Sequence, residues 1–301
     1  MKTFVVAAAL ALLAACDRTP EPPPPAVKPP PPPLPPLPEI KPPEDFVQDG
    51  FLELPAGDAA SFGWDLREGA QHKYAYGQES HLVLTVSGGK ETGKVGSRTQ
   101  WKGDAMVVGG GGRGELVFVG APIAQWNNNQ PLSSEELNKI PKTVVQYMLR
   151  EDGTIPSRQV RSGQEDPKFD LYFALPAKAL KPGDKDVREV HLTHFMEDAK
   201  YHGRQEITHA GRRKIGRHEC VKLLSTVDLE AIPPGDGNGR LVGSIAAYVD
   251  PRERTFVRVD AVFVIAVDVR REVNPADPTV EPYWQLNRVQ ADSRVTITLK
   301  D

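Results

Sequence analysis

Apolar and polar residues alternate most plainly near the end of the chain. From Val257 to Val269 one parity reads Val257, Val259, Ala261, Phe263, Ile265, Val267 and Val269, all apolar, which predicts a strand with one buried face. The other parity opens with Arg258 and Asp260, closes with Asp268 and Arg270 and is apolar between. That second face is expected to be wet at both ends and covered at its middle. From Val289 to Leu299 the pattern is cleaner: Val289, Ala291, Val295, Ile297 and Leu299 point one way, with Gln290, Asp292, Arg294, Thr296 and Thr298 opposite. One dry side and one wet side mark an antiparallel sheet.

Upstream the strand signals are shorter and broken by turns. His72 to Gln78 alternates around Tyr74 and Tyr76, and His81 to Val86 is a compact apolar run. Ala105 to Val108 and Glu115 to Val119 flank a glycine cluster. Thr143 to Arg150 leads into Asp152-Gly153, a hairpin signal. Phe169 to Leu175 and Val187 to Met196 read as further strands, and Pro176 to Asp186 as a connector. Helical patterning is scarce; Ser133 and Glu136 have capping-box spacing and open one short helix. The expected fold class is mainly β: a large curved antiparallel sheet (half-barrel, barrel or sandwich) with few short helices. Leu54-Pro55-Ala56 is echoed by Leu175-Pro176-Ala177, each followed by a Gly-Asp pair, but three matched residues leave one continuous domain as the reading.

The first 45 residues follow other rules. A single lysine at position 2 precedes an apolar run from Phe4 to Leu13, then Ala14, Ala15 and Cys16, the plan of an export signal. The run is too short for a bilayer-spanning helix, which needs about 20 residues. Residues 20–43 then carry 15 of the chain's 29 prolines. Proline fixes φ and lacks a backbone donor, so this stretch is expected as disordered, extended polyproline II, roughly 70 Å long. The expected division is a signal peptide at 1–15, a lipidated cysteine and proline-rich tether at 16–45, and a β-rich globular domain at 46–301. The tether reads as a spacer, with a ligand for a proline-binding partner as the alternative.

Leu13-Ala14-Ala15-Cys16 resembles the lipobox of bacterial lipoproteins and stands where that family has it. The resemblance implies cleavage before Cys16, a diacylglyceryl group on its thiol and acylation (palmitate-type) of its amine. Two or more fatty chains make a stable anchor where one does not. The implied location is the cell envelope, anchored in membrane lipid and facing the periplasm or the cell surface. Asp17 stands where some Gram-negative bacteria mark retention in the inner membrane; which membrane holds the protein stays open.

Charge narrows the partners. The net charge is −3, and the first 43 residues contribute +1, leaving −4 on the remainder. That balance gives no reason to expect nucleic acid. With Cys16 lipidated, Cys220 has no disulfide partner, so stability is expected from packing.

Several residues invite chemistry. Gly88 to Lys94 matches the first seven positions of a phosphate-binding loop, but Val95 stands where Ser or Thr would hold Mg²⁺, so a hairpin loop is the reading. Ser87 and Lys90 have the Ser-x-x-Lys spacing of penicillin-recognising enzymes but span a glycine turn rather than a helix. Five histidines fall between 191 and 218. On a strand His218 and Cys220 share a face, so both would reach one ion, with His191 or His209 completing a metal site. The same pair would serve as base and nucleophile. His191 and His194 differ by three and point apart. Surface histidines and a packed thiol explain these residues more simply, so no catalytic residue, no resident metal and no cofactor are assigned. Phe51, Phe62, Trp64, Tyr74, Tyr76, Trp101 and Trp126 supply the aromatic bulk of the N-terminal half. Trp64, Tyr74, Tyr76, Trp101 and Trp126 are the candidates to line a concave face that holds an apolar ligand.

Anchor, stalk and curved sheet together are similar in architecture to the envelope lipoproteins that carry lipids on half-barrels. The expectation is a non-enzymatic, membrane-tethered module that binds an apolar small molecule or another envelope protein. The alternatives are a structural or assembly lipoprotein, and a hydrolase or metal enzyme using His218 and Cys220.

Overall fold

A computed structural model of the chain describes residues 31, 33–41, 50–88, 92–163, 167–193, 199–273 and 282–300. The signal, Cys16, the first part of the tether and His194 lie outside the described residues. Residues from Leu34 onward form one compact unit.

Thirteen strands build it: β1 (Leu52–Leu54), β2 (Gln71–Ser87), β3 (Gly93–Gly109), β4 (Arg113–Asn127), β5 (Gln130–Pro131), β6 (Thr143–Arg150) and β7 (Ser157–Ser162) come first. After them come β8 (Lys185–Thr193), β9 (Lys200–Ile215), β10 (His218–Ile232), β11 (Asp236–Asp250), β12 (Thr255–Val273) and β13 (Tyr283–Leu299). Among the described residues the helices are α1 (Ser134–Lys139), between β5 and β6, and α2 (Phe169–Tyr172), between β7 and β8. All strands join one antiparallel sheet, ordered β1-β9-β10-β11-β12-β13-β2-β3-β4-β6-β7, with β8 beside β9 and β5 beside β4. The sheet does not close on itself. The last strand, β13, sits between β12 and β2 and so joins the two halves, with Val295 opposite Gln78 and Ala261.

The expected patterning decides which face goes in. Val259, Ala261, Phe263, Ile265 and Val267 of β12 are buried, as are Val295 and Ile297 of β13. The capping box of α1 is formed: the Glu136 amide donates to Ser133 Oγ at 3.3 Å, and the Ser133 amide donates to Glu136 Oε2 at 2.8 Å. His72–Gln78 and His81–Val86 are parts of one long strand, β2, and Asp152-Gly153 turns the chain between β6 and β7. Gly153 has φ +80°, and a Cβ there would lie 2.7 Å from the Phe173 carbonyl.

Two expectations fail. Phe169 to Leu175 is not a strand but a helical turn with its continuation, which packs into the core with every residue except the half-buried Asp170 covered. With a single polar residue among seven, the run carries no periodicity to read. Asp268 is not wet: it is fully buried, and Arg288 of the neighbouring strand donates to it at 2.8 and 2.7 Å. A cross-strand guanidinium supplies the partner that water would otherwise have to supply.

Candidate functional site

The inside of the sheet is where an apolar ligand would sit. Two segments of the chain occupy it. Trp64 and Leu66, on the segment before β2, are wholly buried; the Trp64 amide donates to Glu151 and the Asp65 amide to Arg254, which ties that segment across the sheet. From the other side α2 and the residues after it bring in Phe169, Leu171 and Phe173, each fully buried. Trp64 meets Phe173 edge-on at 5.1 Å and Phe256 at 5.0 Å, and Phe169 stacks on Phe173 at 5.3 Å. Tyr74 lies 6.2 Å from Trp64, and Tyr76 meets Phe118 at 5.0 Å. Each such ring contributes about 2–3 kcal/mol by leaving water.

The five aromatic candidates therefore divide. Trp64, Tyr74, Tyr76 and Trp101 belong to the packed core. The Tyr74 hydroxyl is 2.8 Å from Thr255 Oγ1, and burial pushes its pKa well above the ordinary range. Trp126 is at the surface on β4, under the guanidinium of Arg98 at 5.0 Å, beside an open groove of about 370 Å³.

The histidines also separate. His191 and His202 face each other across β8 and β9 and lie near Glu189 and Glu230, at 3.9 and 3.3 Å. His209 is buried opposite Leu223, and its Nδ1 accepts from the Gly211 amide at 3.2 Å. His218 and Cys220 are both buried, as their shared face implies, but His218 turns its Nδ1 to Asp250 at 2.9 Å. Asp250 in turn accepts the Arg252 and Glu253 amides of the β11–β12 turn. Burial, then the charge of Asp250, pushes the Cys220 thiol up to about 12, the reverse of what a thiolate nucleophile needs. Cys220 instead packs with Ala246, Tyr248 and Val257. Among the described residues no three His, Cys, Asp or Glu side chains converge on a point that would hold a metal ion. The flanks of the phosphate-loop-like stretch join β2 to its antiparallel neighbour β3, with Val86 opposite Gly93, so no helix follows that strand; residues 89–91 lie outside the described ones.

The outward face of the sheet carries what the sequence alone did not flag. On β4 the outward row is Glu115, Val117, Val119, Ala121 and Ile123; Val119 is 40% exposed and Ile123 48%. Val119 pairs with Val144 of β6, and the outward Met148 lies 43% exposed on the same strand. An outward apolar row on a strand is visible as alternation, yet Leu116 and Phe118 are apolar too. With both parities apolar, pattern alone does not say which face is dry.

On the same side of the sheet, but over β11 and β12, the outward residues are covered. Val242, Ala246, Val262 and Ala266 are no more than 6% exposed. The N-terminal segment touches this region twice. Phe51 packs edge-on to Tyr248 at 5.2 Å and lies under the Arg258 guanidinium at 5.7 Å. Farther along, Arg288 Nη2 donates to the Pro36 carbonyl at 3.3 Å. Among the described residues no helix is long and apolar enough to cross a membrane. The chain matches no protein-family model and no curated protein sequence.

Proposed function

We propose that this chain is a lipid-anchored envelope protein, not an enzyme, whose strand-built body docks another envelope protein through the outward face of β4 and β6. One observation carries the reading: the inner face is filled by the chain's own rings, while Val119 and Ile123 of β4 and Met148 of β6 stand exposed on the outward side. A filled interior favours docking over an apolar-ligand cavity, and exposed apolar side chains on a sheet face offer such a docking surface. Anchoring follows from Leu13-Ala14-Ala15-Cys16, with acyl chains on Cys16 holding the mature start to membrane lipid.

A photo-crosslinking residue at position 119, in the full chain expressed in cells, is expected to give one discrete adduct. Ile123→Ser with Met148→Ser should abolish that adduct without shifting the melting temperature. No adduct, or an adduct that survives both changes, removes the docking reading. Separately, Cys16→Ser should release the protein from the membrane fraction; retention would mean that lipidation there is not the anchor.

A further inference from the structure

The last part of the proline-rich stretch is in contact with the folded body, and its burial has a period. Leu34, Pro35, Leu37, Pro38 and Ile40 are half-buried, while Pro33, Pro36 and Glu39 are exposed. Two covered positions and one open, repeated, is what a polyproline II helix with three residues per turn shows when one side lies on a surface. Residues 34–41 take neither helix nor strand. Within them Pro35-Pro36-Leu37-Pro38 has the Pro-x-x-Pro spacing that polyproline II recognition uses.

The surface opposite is built for a chain that cannot donate. Prolines offer carbonyls and no N–H, so a receptor must present donors and apolar or ring surface. Arg288 supplies the donor, and it is preorganised: both of its bonds to the fully buried Asp268 fix the guanidinium before Pro36 arrives. Trp284, Leu286 and Arg288 alternate along β13 and so share one face, opposite Glu272, Arg270 and Asp268 of β12. The Arg270 guanidinium lies over the Trp284 ring at 5.5 Å and is itself ion-paired to Asp236. Its Nη1 is buried with no hydrogen-bond partner among the described residues, a further donor on this face.

We propose that the outward face of β12 and β13, centred on Arg288, is a polyproline-binding site, and that its occupant is this chain's own segment from Leu34 to Ile40, docked in cis. Within the proline tract, the segment from Leu34 to Ile40 then acts as a clasp on the folded body. This inference does not depend on lipidation or on the β4 docking face.

The test uses a labelled peptide with the sequence of residues 33–41, added to the full chain and to the Leu34→Ser, Leu37→Ser, Ile40→Ser variant. A tethered segment competes at millimolar effective concentration, so the unchanged chain should bind peptide at least about tenfold more weakly than the variant. Adding Arg288→Ala to the variant should weaken its peptide binding again, and a peptide with alanine for each proline should bind poorly. Equal peptide binding by the two chains, or no effect of Arg288→Ala, overturns the proposal. A second measurement does not rely on the triple variant folding. Pro36→Cys with Gln290→Cys, which shares the face of Arg288 and leaves Arg288 and Asp268 in place, in dilute protein should cross-link within one chain through a short bis-maleimide. Cross-links only between chains, rising with concentration, would assign the site to a second copy's tether and overturn docking in cis; no cross-link at all would overturn the contact itself.

Discussion

Two patches on one side of the same sheet behave in opposite ways. Over β11 and β12 the outward residues Val242, Ala246, Val262 and Ala266 are buried, and buried charge is paired, as with Asp268 and Arg288. Over β4 and β6 the outward Val119, Ile123 and Met148 meet solvent. Residue type does not distinguish them: both rows are valine, alanine and isoleucine-like. What differs is whether the chain returns to cover the row. The N-terminal segment reaches the first patch at Pro36 and Phe51, whereas Val119, Ile123 and Met148 keep 40%, 48% and 43% of their surface open. An apolar outward row is therefore informative only once its cover is known.

The sharpest way to break this contrast is to place one charge on each patch. Val262→Asp should cost about 3 kcal/mol or more, since it buries an unpaired carboxylate. Val119→Asp, the same change on the exposed row, should stay within about 0.5 kcal/mol. Chemical denaturation of both variants checks it, and equal losses would show that the patches do not differ. Next in size, Asp268→Ala should cost about 2 kcal/mol. It removes a buried carboxylate and leaves Arg288, which retains some water contact, without its partner. The same change should loosen residues 34–41, seen as faster hydrogen exchange at Leu37 and Ile40, while β4 and β6 exchange as before.

The smallest expected effect is a pH dependence that one histidine in each half contributes. Burial lowers the pKa of His72, beside Trp64, and of His209; nearby Asp65 and Glu253 oppose the shift at His72, and Asp184 opposes it at His209. Each is thus neutral in the fold and readily protonated once unfolded. Their contribution is present above pH 6.5, the ordinary histidine value, and is lost as the pH falls below it. His209 adds a specific reason: its Nδ1 accepts the Gly211 amide, and a protonated ring has no lone pair to accept with. Stability should fall from pH 7 to pH 5, and His72→Gln and His209→Gln should each flatten part of that slope.

Much of the sheet could be read from the sequence because its strands are half-wet. Val257–Val269 and Val289–Leu299 declare their inner faces through alternation, and Ser133 with Glu136 declares a helix start. Legibility failed in two opposite situations. β9, from Lys200 to Ile215, is rich in charge, and its buried positions include Gln205 and His209. Gln205 becomes a core residue only because its amide reaches the Leu171 carbonyl at 3.3 Å and its carbonyl accepts from Arg188 at 2.9 Å. At the other extreme, Phe169 to Leu175 is covered except at the half-buried Asp170 and has no period.

The candidate sites divide along the same line. That His218 and Cys220 share a face followed from their spacing alone; that Asp250 takes the histidine, and that burial keeps the thiol protonated, followed from β10 lying beside β11. Sequence could nominate Trp64, Tyr74 and Tyr76 as aromatic bulk but not say whether they line a cavity or fill one. By itself, then, the amino-acid order determined local matters: strands with one dry face, a proline segment unable to join a ladder, a capped helix start at Ser133. Only the tertiary structure decided which apolar row is covered and which charge finds a partner. Burial is a property of what packs opposite, and for Asp268 the deciding partner is 20 residues away, for Arg288 and Pro36 252.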